Sequence, residues 1–182
     1  MGAELGGIGG GSQHLPGEVL LRESGLPWAI LHPSEFMTNT TWWADSIAAA
    51  SAIFVPSGTG RVALIDPTDI AEVAAHVLTT PQQDGKIYRL TGPEAMTTAD
   101  IAAHLTDILG RSIRHIDIPA AEFSARLLKS GLPPTLVDAQ LKYYAAVKAG
   151  TADVVTSDVE QLLGRPATGY LTWLKRYASS FR

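Results

Sequence analysis

Short apolar runs that alternate with helix-like stretches are the feature of this sequence that most limits its fold. The strand-like runs lie in the first two thirds of the chain, at residues 28–31, 53–55, 61–65, 86–90 and 113–118. Helix-like stretches separate most of them. Strands that are joined through helices run parallel within one sheet. The alternation therefore predicts an α/β fold with a parallel sheet of about three to five short strands.

The last third of the chain is helical in pattern, and the first residues are rich in glycine. The predicted helices are 120–130, 134–149, 157–163 and 169–181. We divide the chain into a flexible lead-in (1–12), an α/β region (13–118) and a helical region (119–182). A phosphate-binding loop is the alternative for the lead-in. However, Ser12 stands where the third glycine of the dinucleotide-binding pattern belongs, and no apolar strand precedes it.

Three short patterns predict the starts of helices. In each, a Ser, Thr or Asp is followed three residues later by an acidic residue, which is the arrangement of a capping box. The pairs are Asp69 with Glu72, Thr97 with Asp100, and Ser157 with Glu160. An aspartate before a helix is ordinarily a cap, so we interpret Asp66 and Asp69 as caps rather than as catalytic carboxylates.

Composition excludes several classes of protein. The chain has 18 acidic and 14 basic residues and a net charge of −4, which disfavours nucleic acid as a partner. It has no cysteine, and its five histidines lie at neither HxxxH nor HxH spacing, so we predict no metal site. No apolar run is long enough for a membrane span, and the start lacks a signal-peptide pattern. We therefore expect a soluble cytoplasmic protein without a membrane partner.

A few residues are candidates for chemistry on their own account. His32 ends a predicted strand at the sheet edge where ligands gather in open α/β folds, although a hydrogen-bonded strand-end histidine is the alternative. His14 and Glu18 are four residues apart and share a helix face, either as a weak dyad or as a helix-end histidine beside an exposed glutamate. Trp42 and Trp43 point about 100° apart on a helix. We expect one to pack into the core and the other to line a pocket or an interface.

Three passages of the sequence follow one another in an order and at a spacing typical of one family. The first comprises Ser12-Gln13-His14, Glu18, Ser24-Gly25-Leu26, residues 28–33 and Phe36-Met37-Thr38-Asn39; the second is 62–71; the third, 88–94, ends in Thr-Gly-Pro-Glu. Together they resemble the NmrA-like branch of the atypical short-chain dehydrogenase/reductases. The resemblance covers nearly the whole chain from about residue 12.

The resemblance implies a Rossmann domain followed by a small helical region, and hence a partial Rossmann-like parallel sheet in this chain. It also implies NADP or NAD as the cofactor and a small-molecule substrate with a quinone-like or other carbonyl group. The implied site residues are His14 and Glu18 for catalysis, His32, Pro33, Ser34 and Phe36 on the cofactor side, and Met37, Asn39, Trp42 and Trp43 on the substrate side.

Two departures from the family pattern bear on function. His32 stands where the family has an arginine, which exchanges a permanent charge for a titratable one. The family's first strand, glycine-rich phosphate turn and ribose-binding residue have no counterpart in the sequence. We therefore expect weakened cofactor binding and an uncovered sheet edge.

Three hypotheses about function follow. In the first, the chain is an NAD(P)-dependent oxidoreductase in which His14 donates a proton. In the second, it is a non-catalytic binding, assembly or redox-sensing module that forms a homodimer through the uncovered strand and the helix of Trp42 and Trp43. In the third, it is a fragment with no independent role.

Overall fold

The computed structural model describes residues 14–181, so the predicted lead-in lies outside the described residues. The α-helices are α1 (Leu15–Glu23), α2 (Ala44–Ala50), α3 (Pro67–Thr79), α4 (Thr98–Leu109), α5 (Ala120–Lys129), α6 (Pro134–Lys148), α7 (Asp158–Leu163) and α8 (Tyr170–Tyr177). Two 3-10 helices span Met37–Trp43 and Ala178–Phe181. The strands are β1 (Ala29–Pro33), β2 (Ala52–Phe54), β3 (Arg61–Val62), β4 (Lys86–Leu90), β5 (Met96–Thr97) and β6 (Arg114–Ile116). Within residues 14–181, no helix has the length and apolarity needed to cross a membrane.

The strands pair two by two. β1 and β4 run parallel, with Ala29 opposite Lys86 and Pro33 opposite Leu90. β2 and β6 are also parallel, so the predicted α/β fold with parallel strands is confirmed. The third pair, β3 with β5, is antiparallel, which the sequence pattern did not indicate.

The predicted strand 61–65 is only partly correct, because just its first two residues form β3. Residues 63–65 are buried but leave the ladder. Their backbone turns instead to the loop after β1: the Ile65 amide donates to the Glu35 carbonyl (2.9 Å), and the Met37 amide donates to the Ile65 carbonyl (2.9 Å). A single parallel bridge joins Ile65 to Phe36. The extended segment therefore holds the loop in place.

The start of α4 confirms one predicted capping box. The Asp100 amide donates to Thr97 Oγ1 (3.1 Å), and the Thr97 amide donates to Asp100 Oδ2 (2.9 Å). Gly110, in the left-handed region with φ of 66°, ends the same helix. Both signals involve residues close together in sequence, so the sequence pattern alone was enough to predict them.

The other two predicted capping boxes are wrong. α3 is capped by Asp66, whose Oδ1 accepts from the Thr68 amide (2.9 Å), rather than by Asp69. Ser157 makes no side-chain cap bond at the start of α7; its hydroxyl accepts from the Gln161 side chain (2.7 Å). In both cases the predicted capping group is engaged by another partner.

One large apolar core joins the α/β region to the helical region. It contains Ile47 and Ile53 together with Tyr170 and Trp173 of α8, all at most 1% exposed. A smaller cluster formed by Ile65, Val73, Leu90 and Val159 lies between β4, α3 and α7. The carboxyl ends of β1 and β4 therefore rest on a packed base.

Candidate functional site

The loop that follows β1 lies where the carboxyl ends of β1 and β4 meet. Its Ser34 amide donates to the Leu90 carbonyl at the end of β4 (2.8 Å). Gly92, two residues beyond, lies so close to the Leu64 carbonyl that an added Cβ would come within 2.0 Å of its oxygen. Ligands of open α/β sheets bind beyond the carboxyl ends of the strands, so a binding site is expected at this loop.

The residues predicted for the cofactor side are contiguous at this edge. Pro33 is the last residue of β1, Ser34 begins the loop, and Phe36 is 38% exposed. The His32 Nε2 lies 2.7 Å from Glu18 Oε1, whereas its Nδ1 is buried and has no hydrogen-bond partner among the described residues. A buried polar atom without a partner can be satisfied by a bound molecule. The edge therefore fits a cofactor that presents a hydrogen-bonding group.

The predicted catalytic pair is arranged differently from what the helix spacing indicated. His14 is the exposed N-cap residue of α1, and its carbonyl accepts from the Glu18 amide (3.0 Å). The Glu18 carboxylate bonds to His32 (2.7 Å) and to Arg22 (3.3 Å). The structure thus joins Glu18 to the cofactor side through His32, and the catalytic role of His14 stays a prediction.

The residues predicted for the substrate side meet in a narrow cleft, except for one. Asn39, Trp42 and Trp43 line the cleft, which is largely filled by side chains and encloses only about 30 Å³. Trp42 is 68% exposed at the rim, while Trp43 packs partly against the core, as expected for two neighbouring residues that point apart. Met37 is fully buried in the core and does not line the cleft.

The structure adds three side chains that the sequence did not single out. Glu35 lies in the loop after β1, and Tyr143 and Tyr144 come from α6 on the far side of the cleft. Glu35 sits between residues already assigned to the two sides of the site, so its position in the motif was a usable signal. The tyrosines lie more than a hundred residues away in sequence, and no local pattern connects them to the loop.

Burial governs the electrostatics of the cleft. Asn39 Nδ2 donates to Glu35 Oε1 (2.6 Å), but burial outweighs this bond and raises the pKa of Glu35 above its ordinary value of 4.5. Burial, followed by the nearby charge of Glu35, raises the pKa of Tyr143 and of Tyr144. Among the described residues that line the cleft, none is basic. In residues 14–181, no group of three His, Asp or Glu side chains is placed to hold a metal ion.

Known proteins resemble this chain in sequence and structure, although no family model matches it. It is 34% identical over 164 residues to (4-alkanoyl-5-oxo-2,5-dihydrofuran-3-yl)methyl phosphate reductase of Streptomyces griseus, covering 90% of this chain and 58% of that protein. NAD(P)H azoreductase of Xenophilus azovorans is 33% identical over 161 residues, covering 88% and 56%.

Solved structures share the fold. The NADPH-dependent quinone oxidoreductase of Escherichia coli, complexed with NADPH, has a TM-score of 0.83 at 25% identity and covers 93% of this chain and 59% of that one. NmrA, a negative transcriptional regulator in complex with NADP, has a TM-score of 0.64 at 13% identity, covering 87% and 54%; this is a likeness of fold alone.

Two facts follow from these comparisons. The chain spans somewhat more than half the length of the relatives it matches. NAD(P)H stands in the name of the azoreductase, and the quinone oxidoreductase is complexed with NADPH, so these relatives use the cofactor that the sequence predicted. The roles of the individual site residues stay predictions.

Proposed function

We propose that this chain, which is similar to NAD(P)-binding reductases of the NmrA-like short-chain dehydrogenase/reductase group, supplies the substrate side of an NAD(P)H-dependent reductase. The substrate is a small molecule with a quinone-like or other carbonyl group. The loop from His32 to Phe36 carries this proposal, because it continues the predicted cofactor edge directly into the cleft of Asn39 and Trp43.

The chain's own residues prepare the two sides of the reaction. When bound, reduced NAD(P)H supplies a hydride, and reduction of a carbonyl is completed by a proton. His32, Pro33, Ser34 and Phe36 would hold the cofactor, and the Glu18 carboxylate fixes the orientation of the His32 ring. Asn39, Trp42 and Trp43 orient the substrate, and Trp43 excludes water from the inner end of the cleft. His14 is the proposed proton donor, because an imidazole ring can carry a proton and give it to a substrate oxygen.

NADPH oxidation by the full chain, followed with a panel of quinones, tests the proposal. We expect turnover above background, and a loss of about tenfold to a hundredfold in kcat for His14→Ala, which is the usual range for removing a proton donor. His76→Ala, on α3, is the matched control and is expected to keep the wild-type rate. Unchanged turnover in His14→Ala would remove the donor role, and no turnover with any quinone would reject the reductase proposal.

A non-catalytic assembly module is the second candidate function. Trp42 is 68% exposed, and within residues 14–181 the only strand that pairs with β1 is β4. Both features leave surface that a second copy of the chain can cover. Self-association without NADPH binding would favour this candidate over the reductase.

A further inference from the structure

An open groove of about 430 Å³ lies between α4 and the strand β6. Its α4 wall carries the small side chains of Ala99, Ala102 and Ala103, and β6 forms the other wall. The cleft beside Trp43, in comparison, encloses only about 30 Å³. Ligand sites in proteins usually measure about 300–1,000 Å³. The groove therefore has room for part of a partner molecule.

One edge of β6 is covered by β2, and the other is open. The Arg114 amide donates to the Ser51 carbonyl beside β2 (3.0 Å). Backbone groups of successive residues in a strand point to opposite edges, so the backbone of Arg114 faces β2 and that of His115 faces away from it. No hydrogen bond from the described residues reaches the His115 amide or carbonyl. The open edge thus presents an unpaired donor and an unpaired acceptor.

The groove runs along this open edge. The Ile113 backbone points to the same edge as that of His115, and its amide donates to Thr106 Oγ1 of α4 (2.8 Å). α4 therefore closes the edge at Ile113 and leaves it free at His115, which lines the groove. An extended chain that lies beside His115 can pair with its backbone, as peptides do when they add to an exposed sheet edge.

Two charges of opposite sign flank the open edge. Arg114 and Asp107 both line the groove, both are exposed, and neither forms an ion pair with a described residue. Alternate residues of a strand point to opposite faces of the sheet. Ile113 is buried in the core on the face that α4 covers, so Arg114 is on the other face, whereas Asp107 belongs to α4. The two charges therefore lie on opposite faces of the place that an added strand would take.

We propose that the groove binds an extended peptide segment of another protein, which pairs with the His115 backbone as an added strand and carries an acidic residue next to a basic one. Neighbouring residues of an extended chain point to opposite faces. The acidic side chain can therefore face Arg114 while the adjacent basic side chain faces Asp107. The β6 strand of a second copy, Arg114–Ile116, contains no acidic residue and does not supply this pattern.

Three blocked peptides of equal length test the proposal. Acetyl-Thr-Val-Lys-Glu-Val-Thr-amide and acetyl-Thr-Val-Glu-Lys-Val-Thr-amide carry the adjacent charges in the two possible orders. Acetyl-Thr-Val-Gln-Gln-Val-Thr-amide is the neutral control. Valine and threonine favour an extended backbone, and the blocked ends remove the terminal charges. Binding to the full ¹⁵N-labelled chain is followed through its backbone amide signals.

We expect one of the charged peptides to bind with a Kd below about 1 mM, and at least about threefold more tightly than the neutral peptide. The order that binds gives the direction of the added strand. At saturation, solvent exchange of the His115 amide should slow at least about tenfold, because the amide gains an acceptor. The Arg114 amide already bonds to Ser51 and is the internal control. An unprotected His115 amide, or equal affinity for the neutral peptide, would overturn the inference.

A charge reversal separates a direct ion pair from a loss of folding. Arg114→Glu should weaken binding of the preferred peptide at least about fivefold and should favour a peptide in which lysine replaces its glutamate. Arg111→Glu makes the same change at an exposed position outside the groove and should keep the wild-type affinity. Unchanged affinity in Arg114→Glu would contradict the proposed contact.

Blocking the groove tests its location. Ala103→Phe fills the groove from the exposed side of α4 and should abolish binding, whereas Ala121→Phe on α5 should not. Protection of the His115 amide that rises with the concentration of the free chain would show that a second copy covers the edge, and would overturn the peptide proposal. The inference is independent of the reductase proposal, because no predicted site residue lines the groove.

Discussion

Two aspartates near the start of α3 each bind an arginine from the last part of the chain. Asp66 and Asp69 are 1% and 0% exposed, and they accept hydrogen bonds from Arg176 (2.7 Å) and Arg165 (2.8 Å). Asp69 also accepts from the Thr168 amide (2.7 Å). These bonds connect residues about a hundred positions apart in sequence, so they fasten the helical region to the α/β region.

Removing the buried carboxylate is expected to destabilise the fold far more than removing its exposed neighbour. Asp69→Ala leaves the Thr168 amide without its acceptor and should lower the free energy of unfolding by about 3 kcal/mol. Glu72→Ala removes the other carboxylate bound to Arg165, but Glu72 is 49% exposed, and its loss should cost less than about 1 kcal/mol. Urea denaturation of both variants measures the difference, and equal losses would contradict this account.

The limits of sequence reasoning are visible in these same residues. The local pattern assigned both Asp66 and Asp69 to capping. Only Asp66 caps, because Asp69 lies within the first turn of α3 and its carboxylate is engaged by the distant Arg165 and Thr168. Glu35 was missed for a related reason. Its burial depends on α6, which no pattern near residue 35 reveals.

At the scale of elements, the start of α4 gives a pH-dependent prediction. The Thr97 amide bond is the main cause that lowers the pKa of Asp100 below its ordinary value of 3.8. A carboxyl group whose pKa is lower in the folded state adds stability above its unfolded pKa and loses it as the pH falls through the folded value. Stability should therefore decline below about pH 4 in the wild type, and less steeply in Asp100→Asn. Acid titration of the urea midpoint measures this, and parallel curves would count against it.

The starts of α4 and α7 have the same capping-box pattern in sequence, so the stability effects of their N-cap residues can be compared. Thr97→Ala removes a cap bond and should cost about 1 kcal/mol, whereas Ser157→Ala removes none and should cost less than about 0.5 kcal/mol. Sequence reasoning found both patterns and was right for one. The capping box at Thr97 forms between residues of one helical turn. At Ser157 the backbone has φ of −101° and ψ of 9°, and the hydroxyl accepts from the Gln161 side chain instead of capping α7.

The sequence predicted parallel strands, but it missed β5, the antiparallel pairing of β3 with β5, and the extent of several strands. β1 and β4 were predicted because apolar runs bounded by Pro and Gly are distinctive. Their parallel pairing agrees with a connection that contains helices α2 and α3. The predicted strand 61–65 ended early because its last residues bond to the loop after β1. Such loop contacts are set by the assembled fold, not by the apolar run.

At the scale of the whole molecule, the predicted homodimer can be measured directly. Among the described strands β1 pairs only with β4, and Trp42 is 68% exposed. We expect light scattering to give about twice the monomer mass of 19.3 kDa, and Trp42→Ser to weaken the association. A monomer at tens of micromolar would contradict the prediction.

Phe181 is 1% exposed and packs edge-on against Trp173, so the innermost aromatic layer is built from residues that come after every strand. During synthesis, the apolar faces of α2 and α4 therefore stay exposed to solvent until α8 has been synthesised and packs against them. A nascent chain in that interval exposes apolar surface that promotes aggregation. The yield of folded protein should consequently depend on how quickly translation passes from residue 150 to residue 181.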